Sequence, residues 1–161
     1  MTHKEFIKQI KETVKKQAIP PHYNPYEWEL KRFNCYAYAL RICMSFSQRF
    51  YLIAPGFIRR GEKNDYNFTK ERTLDYFKDD CEALGLQVFP TKLEEQIGEK
   101  EYKIAVYLDE GRDFHFARQD SNGEWSHKDG WFKKIESIDK EDITKNSDGY
   151  KFIGIFRVSK K

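Results

Sequence analysis

Cys35 has the residue type and the local setting of a nucleophile in this 161-residue sequence. It follows the polar Asn34 and opens the run CYAYALRICMSF, which is typical of a buried helix. At a helix N-terminus the macrodipole and the free N–H groups favour a thiolate. Asn34 can act as the N-cap or as nearby polar support. Taken alone, the segment favours a small buried thiol without chemistry, and a reactive thiol at Cys35 is the alternative that depends on a suitable partner elsewhere in the chain.

His115 is the candidate base for this thiol. A neutral thiol is a poor nucleophile, so an imidazole must take or hold its proton, and a third polar group must orient that imidazole. In the segment DFHFARQ, alternation places Phe114 and Phe116 on the face opposite His115. A histidine at an inward position of a strand needs a polar partner. The candidates for this third group are, in order, His127, Asp129 and Gln119.

The loop after this strand decides which of these residues can reach His115. A three-residue loop at residues 121–123 would place His115, His127 and Asp129 on one side of the hairpin. A two-residue loop at residues 122–123 would put His127 on the opposite face, because successive side chains alternate along a strand. The sequence leaves both registers open.

The elements that must position these residues follow from hydrophobic periodicity. The pattern predicts an amphipathic helix over residues 3–17 and a buried helix from Cys35 to about Ser47. It predicts a third helix over residues 69–85, which ends at Gly85. Residues 48–68 predict a long loop with a short strand near residues 50–53. Cys43 and Cys81 are both expected in the core. The later segments alternate with period two and predict strands: LQVF, YKIAVYL, DFHFARQ, EWSHK and YKFIGIFRV.

This order of helices followed by strands predicts an α+β fold with a mostly antiparallel sheet. We expect a single domain over residues 1–161, in which residues 1–25 form an N-terminal helix and a lead-in.

Two of these motifs are similar to those of the papain-like cysteine hydrolases. NCYAYA resembles the CHAP-type pattern, in which an aromatic and then a small residue follow the nucleophilic cysteine at the third and fourth positions. HFARQDSNGEWSH is similar to the NlpC-type hairpin, where eleven residues separate the base histidine from an orienting histidine. The resemblance implies a papain-like core with Cys35 as nucleophile, His115 as base and His127 as third member. The sequence departs from many NlpC-type enzymes at Asn34, where they have aspartate.

The resemblance implies a thiol hydrolase that cleaves peptide or isopeptide amide bonds through an acyl-enzyme and needs no cofactor. Its partner would be a peptide or protein amide substrate. The alternatives are an acyl-transfer or deamidase effector and a non-enzymatic binding module on the same scaffold. A metal site at His115 and His127 would need a third ligand, such as Cys35 or Asp129, and is the less favoured interpretation.

Composition narrows the class of protein further. The 29 basic and 26 acidic residues are interspersed and leave a net charge of +3, which gives no indication of nucleic-acid binding. Three cysteines without a C-x-x-C pair predict free thiols in a reducing compartment. No apolar run approaches the roughly 20 residues of a membrane span, and the first residues do not resemble a cleaved signal peptide. We therefore expect a cytoplasmic protein, or one exported without a cleavable signal. Nothing in the sequence indicates the oligomeric state.

Overall fold

In the residues that the structure describes, five helices and a six-stranded sheet form the architecture. The computed structural model describes residues 2–28, 33–44, 53–61, 66–130 and 133–161. The helices are α1 (His3–Lys16), α2 (Pro25–Trp28), α3 (Cys35–Ala39), α4 (Phe57–Arg60) and α5 (Lys70–Ala83). The strands are β1 (Leu86–Thr91), β2 (Glu101–Asp109), β3 (Asp113–Gln119), β4 (Trp125–Lys128), β5 (Ile135–Ile138) and β6 (Lys151–Lys160), with a 3₁₀ turn at Lys140–Asp142.

The sheet has the strand order β1-β6-β2-β3-β4-β5, and every neighbouring pair is antiparallel. This confirms the predicted α+β layout and the antiparallel sheet. The five predicted strand segments all form strands. β5 was not predicted, because only Ile135 of its four residues is buried and the alternating pattern is too short to stand out.

The two long helices follow the predicted patterns. α1 begins with a capping box between Thr2 and Glu5, and its predicted apolar stripe is buried. Thr69 is the N-cap of α5, since its side chain accepts the N–H of Arg72. After the helix the chain turns away at Gly85, whose φ of +77° suits glycine. None of the described helices is long and apolar enough to cross a bilayer.

The buried face of α5 carries a carboxylate that its apolar pattern does not show. Asp80 is fully buried and accepts hydrogen bonds from Tyr36 Oη (2.7 Å), from the N–H of Gly56 (2.7 Å) and from the N–H of Arg59 (2.9 Å). Burial raises the pKa of Asp80 to about 6. This side chain ties α5 to α3 and to the start of α4, because it satisfies donors on both.

The helix that starts at Cys35 is shorter than predicted. α3 ends at Ala39, and Arg41 adopts the left-handed conformation with φ of 65°, which no continuing α-helix allows. The apolar side chains of Leu40 and Ile42 are nevertheless fully buried. The apolar run that begins at Cys35 therefore indicates which residues are buried, and does not indicate how long the helix is. The rest of the predicted helix, and most of the strand predicted near residues 50–53, lie outside the described residues.

The two other cysteines have different environments. Cys81 is fully buried in the core, as predicted. Cys43 is partly buried and packs against the core, but it lies in irregular chain after α3 and not in the middle of a helix, as was predicted. Its Sγ lies 3.8 Å from the carbonyl oxygen of Glu27.

The two faces of the sheet bury different sets of side chains. On one face Phe114 and Phe116 of β3 pack on Tyr36 of α3, with ring centroids 6.1 and 4.7 Å apart. On the other face Tyr107 and Ala117 belong to a smaller apolar cluster. His115 lies on this second face, beside Tyr107.

Candidate active site

Cys35 is held at the first position of α3 by its neighbour. Asn34 Oδ1 accepts the N–H of Ala37 at 3.0 Å, and Asn34 Nδ2 donates to the carbonyl oxygen of Ile53 at 2.9 Å. Asn34 is therefore an N-cap that also anchors the start of α3 to another segment. Cys35 itself is 6% exposed and lines a cavity of about 190 Å³. The other lining residues are Asn34, Asp113, Phe114, His115, Asp129, Gly130 and Tyr150.

The sequence allowed two loop lengths for the β3–β4 hairpin, and the structure has the three-residue loop. Arg118 pairs with Ser126, and Gln119 pairs with Trp125. The N–H of Asp120 bonds to the carbonyl oxygen of Glu124 at 2.8 Å, which closes the loop over residues 121–123. Gly123 has a φ of +83°, the left-handed conformation that this loop requires. His115 and His127 therefore lie on the same side of the hairpin.

The two imidazoles are in direct contact. His115 Nε2 and His127 Nδ1 are 2.7 Å apart, and the ring planes meet at 83°. The side chains are only 17% and 20% exposed. Burial and the neighbouring His127 lower the pKa of His115 to about 4, and burial also lowers the pKa of His127. Both rings are therefore neutral near pH 7.

Carboxylates stand farther from these rings. Asp129 Oδ1 lies 3.9 Å from His115 Nδ1, and Glu136 Oε2 lies 4.0 Å from His127 Nε2. Their side chains are 66% and 65% exposed, so solvent screens both ion pairs. Of the candidates for the third group, His127 makes the hydrogen bond and Asp129 makes a longer contact. Gln119 donates to the carbonyl oxygen of Gly123 in the hairpin loop, at the far end of β3.

The Cys35 thiol is neutral, contrary to the thiolate that the helix start suggested. Burial, together with the nearby carboxylates of Asp113 and Asp129, raises the pKa of Cys35 to about 12. Backbone hydrogen bonds from Phe116 and Tyr36 act in the opposite direction and are outweighed. The physical reason is that α3 has five residues, too few for a strong macrodipole, whereas desolvation acts at full strength.

Asp113 and Tyr150 belong to the site and were not predicted. Tyr150 Oη donates to Asp113 Oδ2 at 2.7 Å, and both residues line the cavity at Cys35. Asp113 could have been found from the sequence, because it precedes His115 by two residues in the same strand and so shares its face. Tyr150 carries no such signal, since it approaches from just before β6, far along the chain.

Lys128 is a further charged group near the thiol. Its side chain is fully buried, and its Nζ donates to the carbonyl oxygen of Gly130. Burial lowers the pKa of Lys128 to about 8, and the interaction with Cys35 acts to raise it. A cation therefore lies close enough to Cys35 to favour negative charge on the sulfur.

A larger cavity of about 630 Å³ adjoins the site on the second face of the sheet. It shares His115, Asp129 and Tyr150 with the cavity at Cys35, and His127 lines it as well. The histidine pair thus stands between two open spaces. Within the described parts of the chain, no group of three or more His, Cys, Asp or Glu side chains is arranged to hold a metal ion.

The architecture is that of an α+β protein with helices packed on a six-stranded antiparallel sheet. Residues 27–153 match the family described as a domain of unknown function, DUF7689, and the chain belongs to this family. The match includes the site residues from Asn34 to Tyr150. No curated protein and no solved structure matches the chain.

Proposed function

We propose that this protein is a papain-like cysteine hydrolase that cleaves amide bonds in a peptide or isopeptide substrate. Cys35 is the nucleophile, His115 is the base, and His127 positions His115. The observation that carries the proposal is the hydrogen bond between His115 and His127, beside a cavity that Cys35 also lines. The order of the elements supports the papain-like assignment, since the helix that begins at the cysteine precedes an antiparallel sheet that bears the histidines.

Either ring can donate the hydrogen bond between His115 and His127, and the proposed mechanism uses the arrangement in which His115 is the donor. When His115 Nε2–H donates to His127 Nδ1, His127 carries its own proton on Nε2, on the side of Glu136. His115 Nδ1 then keeps its lone pair. A lone pair on this nitrogen is what a general base for the Cys35 thiol needs.

The reaction begins from a neutral thiol and a neutral imidazole. As Cys35 Sγ attacks the substrate carbonyl carbon, the thiol proton passes to His115 Nδ1 and the carbonyl oxygen takes up the electron pair. The tetrahedral intermediate collapses to a thioester when the C–N bond breaks and His115 gives its proton to the leaving amine. Water then attacks the thioester with His115 again as base, which releases the acid and restores the thiol.

Charges around the site stabilise the species that form during this cycle. Asp113 and Asp129 raise the pKa of His115 and therefore favour its protonated form once it has accepted the thiol proton. Lys128 favours negative charge on Cys35 at the same moment. The N–H of Cys35, at the first position of α3, has no intrahelical acceptor by its position and is the proposed donor to the oxyanion.

Transfer of an acyl-group from an activated ester tests the proposal without knowledge of the substrate. The protein is incubated with p-nitrophenyl acetate, and acetylation is followed by p-nitrophenolate release and by peptide mass spectrometry. We expect an acetyl group on Cys35 in the wild type, none at this position in Cys35→Ala, and a rate lower by about a hundredfold in His115→Ala. Cys43→Ala is the matched control and should react like the wild type.

Acetylation of Cys35 at equal rates with and without His115 would contradict the proposal, as would reaction at Cys43 alone. Persistence of the acetyl group until an added amine removes it would assign the protein to acyl transfer. This outcome would support the alternative of an acyl-transfer or deamidase effector, which uses the same acyl-enzyme.

One observation favours a second candidate, a binding module without activity. The pKa of Cys35 is raised to about 12 by burial, so the resting thiol is unreactive unless His115 removes its proton. A protein of this class would show no acetylation of Cys35, and its Cys35→Ala variant would bind ligands as the wild type does.

A further inference from the structure

A buried hydrogen-bonded network joins α3, β3 and β4. Asp120, which directly follows β3, accepts hydrogen bonds from Arg118 Nε at 2.9 Å and from Ser126 Oγ at 2.6 Å. Tyr38 Oη lies 2.6 Å from Ser126 Oγ, and Arg118 Nη1 donates to the carbonyl oxygen of Tyr38 at 3.1 Å. These four residues are at most 3% exposed. Because Ser126 gives its one hydroxyl proton to Asp120, Tyr38 is the donor in its contact with Ser126.

The network reaches every element that bears a proposed catalytic residue. Three of its members share an element with one of them: Tyr38 with Cys35 on α3, Arg118 with His115 on β3, and Ser126 with His127 on β4. The network lies on the face of the sheet that packs on α3, opposite the histidines, because neighbours in a strand point to opposite faces. A shift of β4 along β3 would therefore disturb the network and the histidine pair together.

The backbone ladder between β3 and β4 is short. In the described residues it has two pairs, Arg118 with Ser126 and Gln119 with Trp125. Both pairs lie on the loop side of His127, so the contact between the imidazoles lies beyond the ladder. Each cross-strand pair contributes only modest stabilisation, and two pairs therefore fix the register weakly. The alignment of β4 depends on the side-chain network as well.

We propose that Asp120 and Ser126 are positioning residues for the proposed active site. They hold β4 in the register that brings His127 Nδ1 to His115 Nε2, and the Ser126 hydroxyl ties this hairpin to α3. The effect on the reaction rests on the proposed function, whereas the geometry of the histidine pair does not.

The chemistry of Asp120 makes the network specific for one register. A carboxylate accepts hydrogen bonds and donates none, so both of its oxygens need donors when it is buried. Arg118 and Ser126 supply these donors in the observed register, in which they stand opposite each other across the two strands. A slip by one residue would take the Ser126 hydroxyl away and leave a buried acceptor unpaired, which is unfavourable. The buried ion pair therefore selects the observed register.

NMR observes the contact between the imidazoles directly. In protein labelled with ¹⁵N at histidine, the hydrogen bond gives a ¹⁵N–¹⁵N coupling between His115 Nε2 and His127 Nδ1. We expect this coupling in the wild type and its loss in Ser126→Ala, which removes a single hydroxyl. Absence of the coupling in the wild type, or an unchanged coupling in folded Ser126→Ala, would overturn the proposal.

Variants of Asp120 test the acceptor by rescue. The amide of Asp120→Asn can accept from Arg118 and donate to Ser126, which then turns its own proton towards Tyr38. We expect Asp120→Asn to keep the histidine coupling and Asp120→Ala to lose it. A folded Asp120→Ala with the wild-type coupling would show that the carboxylate positions nothing.

The rate of Cys35 acetylation by p-nitrophenyl acetate tests the tie to α3. Tyr38→Phe removes only the hydroxyl that reaches Ser126, and we expect a rate lower by about threefold or more with the histidine coupling retained. Tyr102→Phe is the matched control, because Tyr102 is equally buried and its hydroxyl donates from β2 to the carbonyl oxygen of Ala39 at the end of α3. This control should react like the wild type. Equal rates in the two variants would overturn the role of the hydroxyl network in seating α3.

The two readouts separate this proposal from the proposed function. If the wild type is not acetylated at Cys35, the proposed function fails, and the NMR measurement still decides whether Ser126 positions the histidine pair, since it needs no substrate. An intact coupling in Ser126→Ala would contradict the positioning role and leave the proposed function in place. If Ser126→Ala does not fold, the comparison of Tyr38→Phe with Tyr102→Phe decides.

Discussion

His127 Nδ1 lies 2.7 Å from His115 Nε2, whereas Asp129 Oδ1 lies 3.9 Å from the other ring nitrogen of His115. The first distance is a hydrogen bond between two largely buried groups, and the second is a longer contact to an exposed carboxylate. The orientation of the proposed base therefore depends on His127 far more than on Asp129.

This difference predicts how two substitutions change the acetylation of Cys35 by p-nitrophenyl acetate. His127→Ala removes the hydrogen-bond partner of the His115 ring, and we expect the rate to fall by about tenfold or more. Asp129→Ala removes a screened charge and should change the rate by no more than a few fold. A large loss in Asp129→Ala with an unchanged rate in His127→Ala would transfer the orienting role to Asp129.

The proposed residues should also fail to act independently. Cys35→Ala and His115→Ala each remove the same step, so we expect the double variant to be no slower than the slower single variant. His127→Ala should have no further effect in the His115→Ala background, because the residue it positions is gone. The measurement is the p-nitrophenolate release rate for all single and double variants. Losses that simply multiply would indicate that the three residues do not form one unit.

The pKa values predict a broad pH optimum. The active form has a neutral thiol and a neutral imidazole, with pKa values of about 12 for Cys35 and about 4 for His115. The value of kcat/KM should therefore fall only as the pH approaches 4, where His115 gains a proton and can no longer act as base. A resting thiolate–imidazolium pair would instead lose activity when the imidazolium deprotonates on the alkaline side. The pKa of Lys128 is about 8, so ionisation of this lysine would change kcat/KM near pH 8. The variant Lys128→Met is the control, because such a change is absent from its pH profile.

The lowered pKa of His115 should also make the free energy of unfolding depend on pH. Its pKa falls from the ordinary value of 6.5 to about 4 on folding, so the unfolded chain binds more protons between these values. Stability therefore falls as the pH drops through this window, by up to about 3 kcal/mol from this group. Asp80 has the opposite sign, because its pKa is raised to about 6 and it favours the folded state more as the pH drops.

The comparison of wild type with His115→Asn isolates the histidine, since Asp80 is present in both proteins. Urea unfolding at several pH values from 7 to 4 should show that the free energy of unfolding of the wild type decreases relative to that of the variant. A difference between the two proteins that does not change with pH would show that the histidine is not held neutral.

Asn34 is predicted to matter for stability as well as for the position of Cys35. Asn34→Ala removes both the cap on Ala37 and the bond to Ile53, and we expect a loss of roughly 1–3 kcal/mol. Asn34→Asp keeps the cap but cannot donate to Ile53, so an intermediate loss is expected. Thr69→Ala removes a cap without a second bond and is the matched control, with a loss of about 1 kcal/mol. Equal losses for Asn34→Ala and Thr69→Ala, measured by urea unfolding, would show that the bond to Ile53 contributes nothing.

The features that could be predicted from the sequence are those that depend on local patterns of apolar and polar residues. Alternation identified five of the six strands in the described part of the chain, and the apolar stripes identified α1 and α5. Alternation also placed the aromatic neighbours of His115 on the face opposite its own. The length of α3 could not be predicted, because burial of Leu40 and Ile42 in irregular chain gives the same apolar run as a longer helix.

The properties of the site that depend on distant parts of the chain escaped prediction. The local sequence allowed two hairpin loops, and only the folded register selects the one that brings His127 to His115. The pKa of Cys35 reflects desolvation by the whole core and not the helix start beside it. Tyr150 reaches Asp113 from 37 residues away, a contact that no periodicity in either segment encodes.

The position of β6 has a consequence for how the protein folds. β6 lies between β1 and β2, and pairs Leu86 with Lys160 on one side and Glu101 with Ser159 on the other. During synthesis, β1 and β2 emerge from the ribosome before the strand that joins them. Until residues 151–160 emerge, β1 has no partner strand and one edge of β2 stays open to association with other chains. The sheet is therefore completed late, when the inner strand β6 pairs with β1 and β2. These contacts join residues far apart in the sequence, which slows folding.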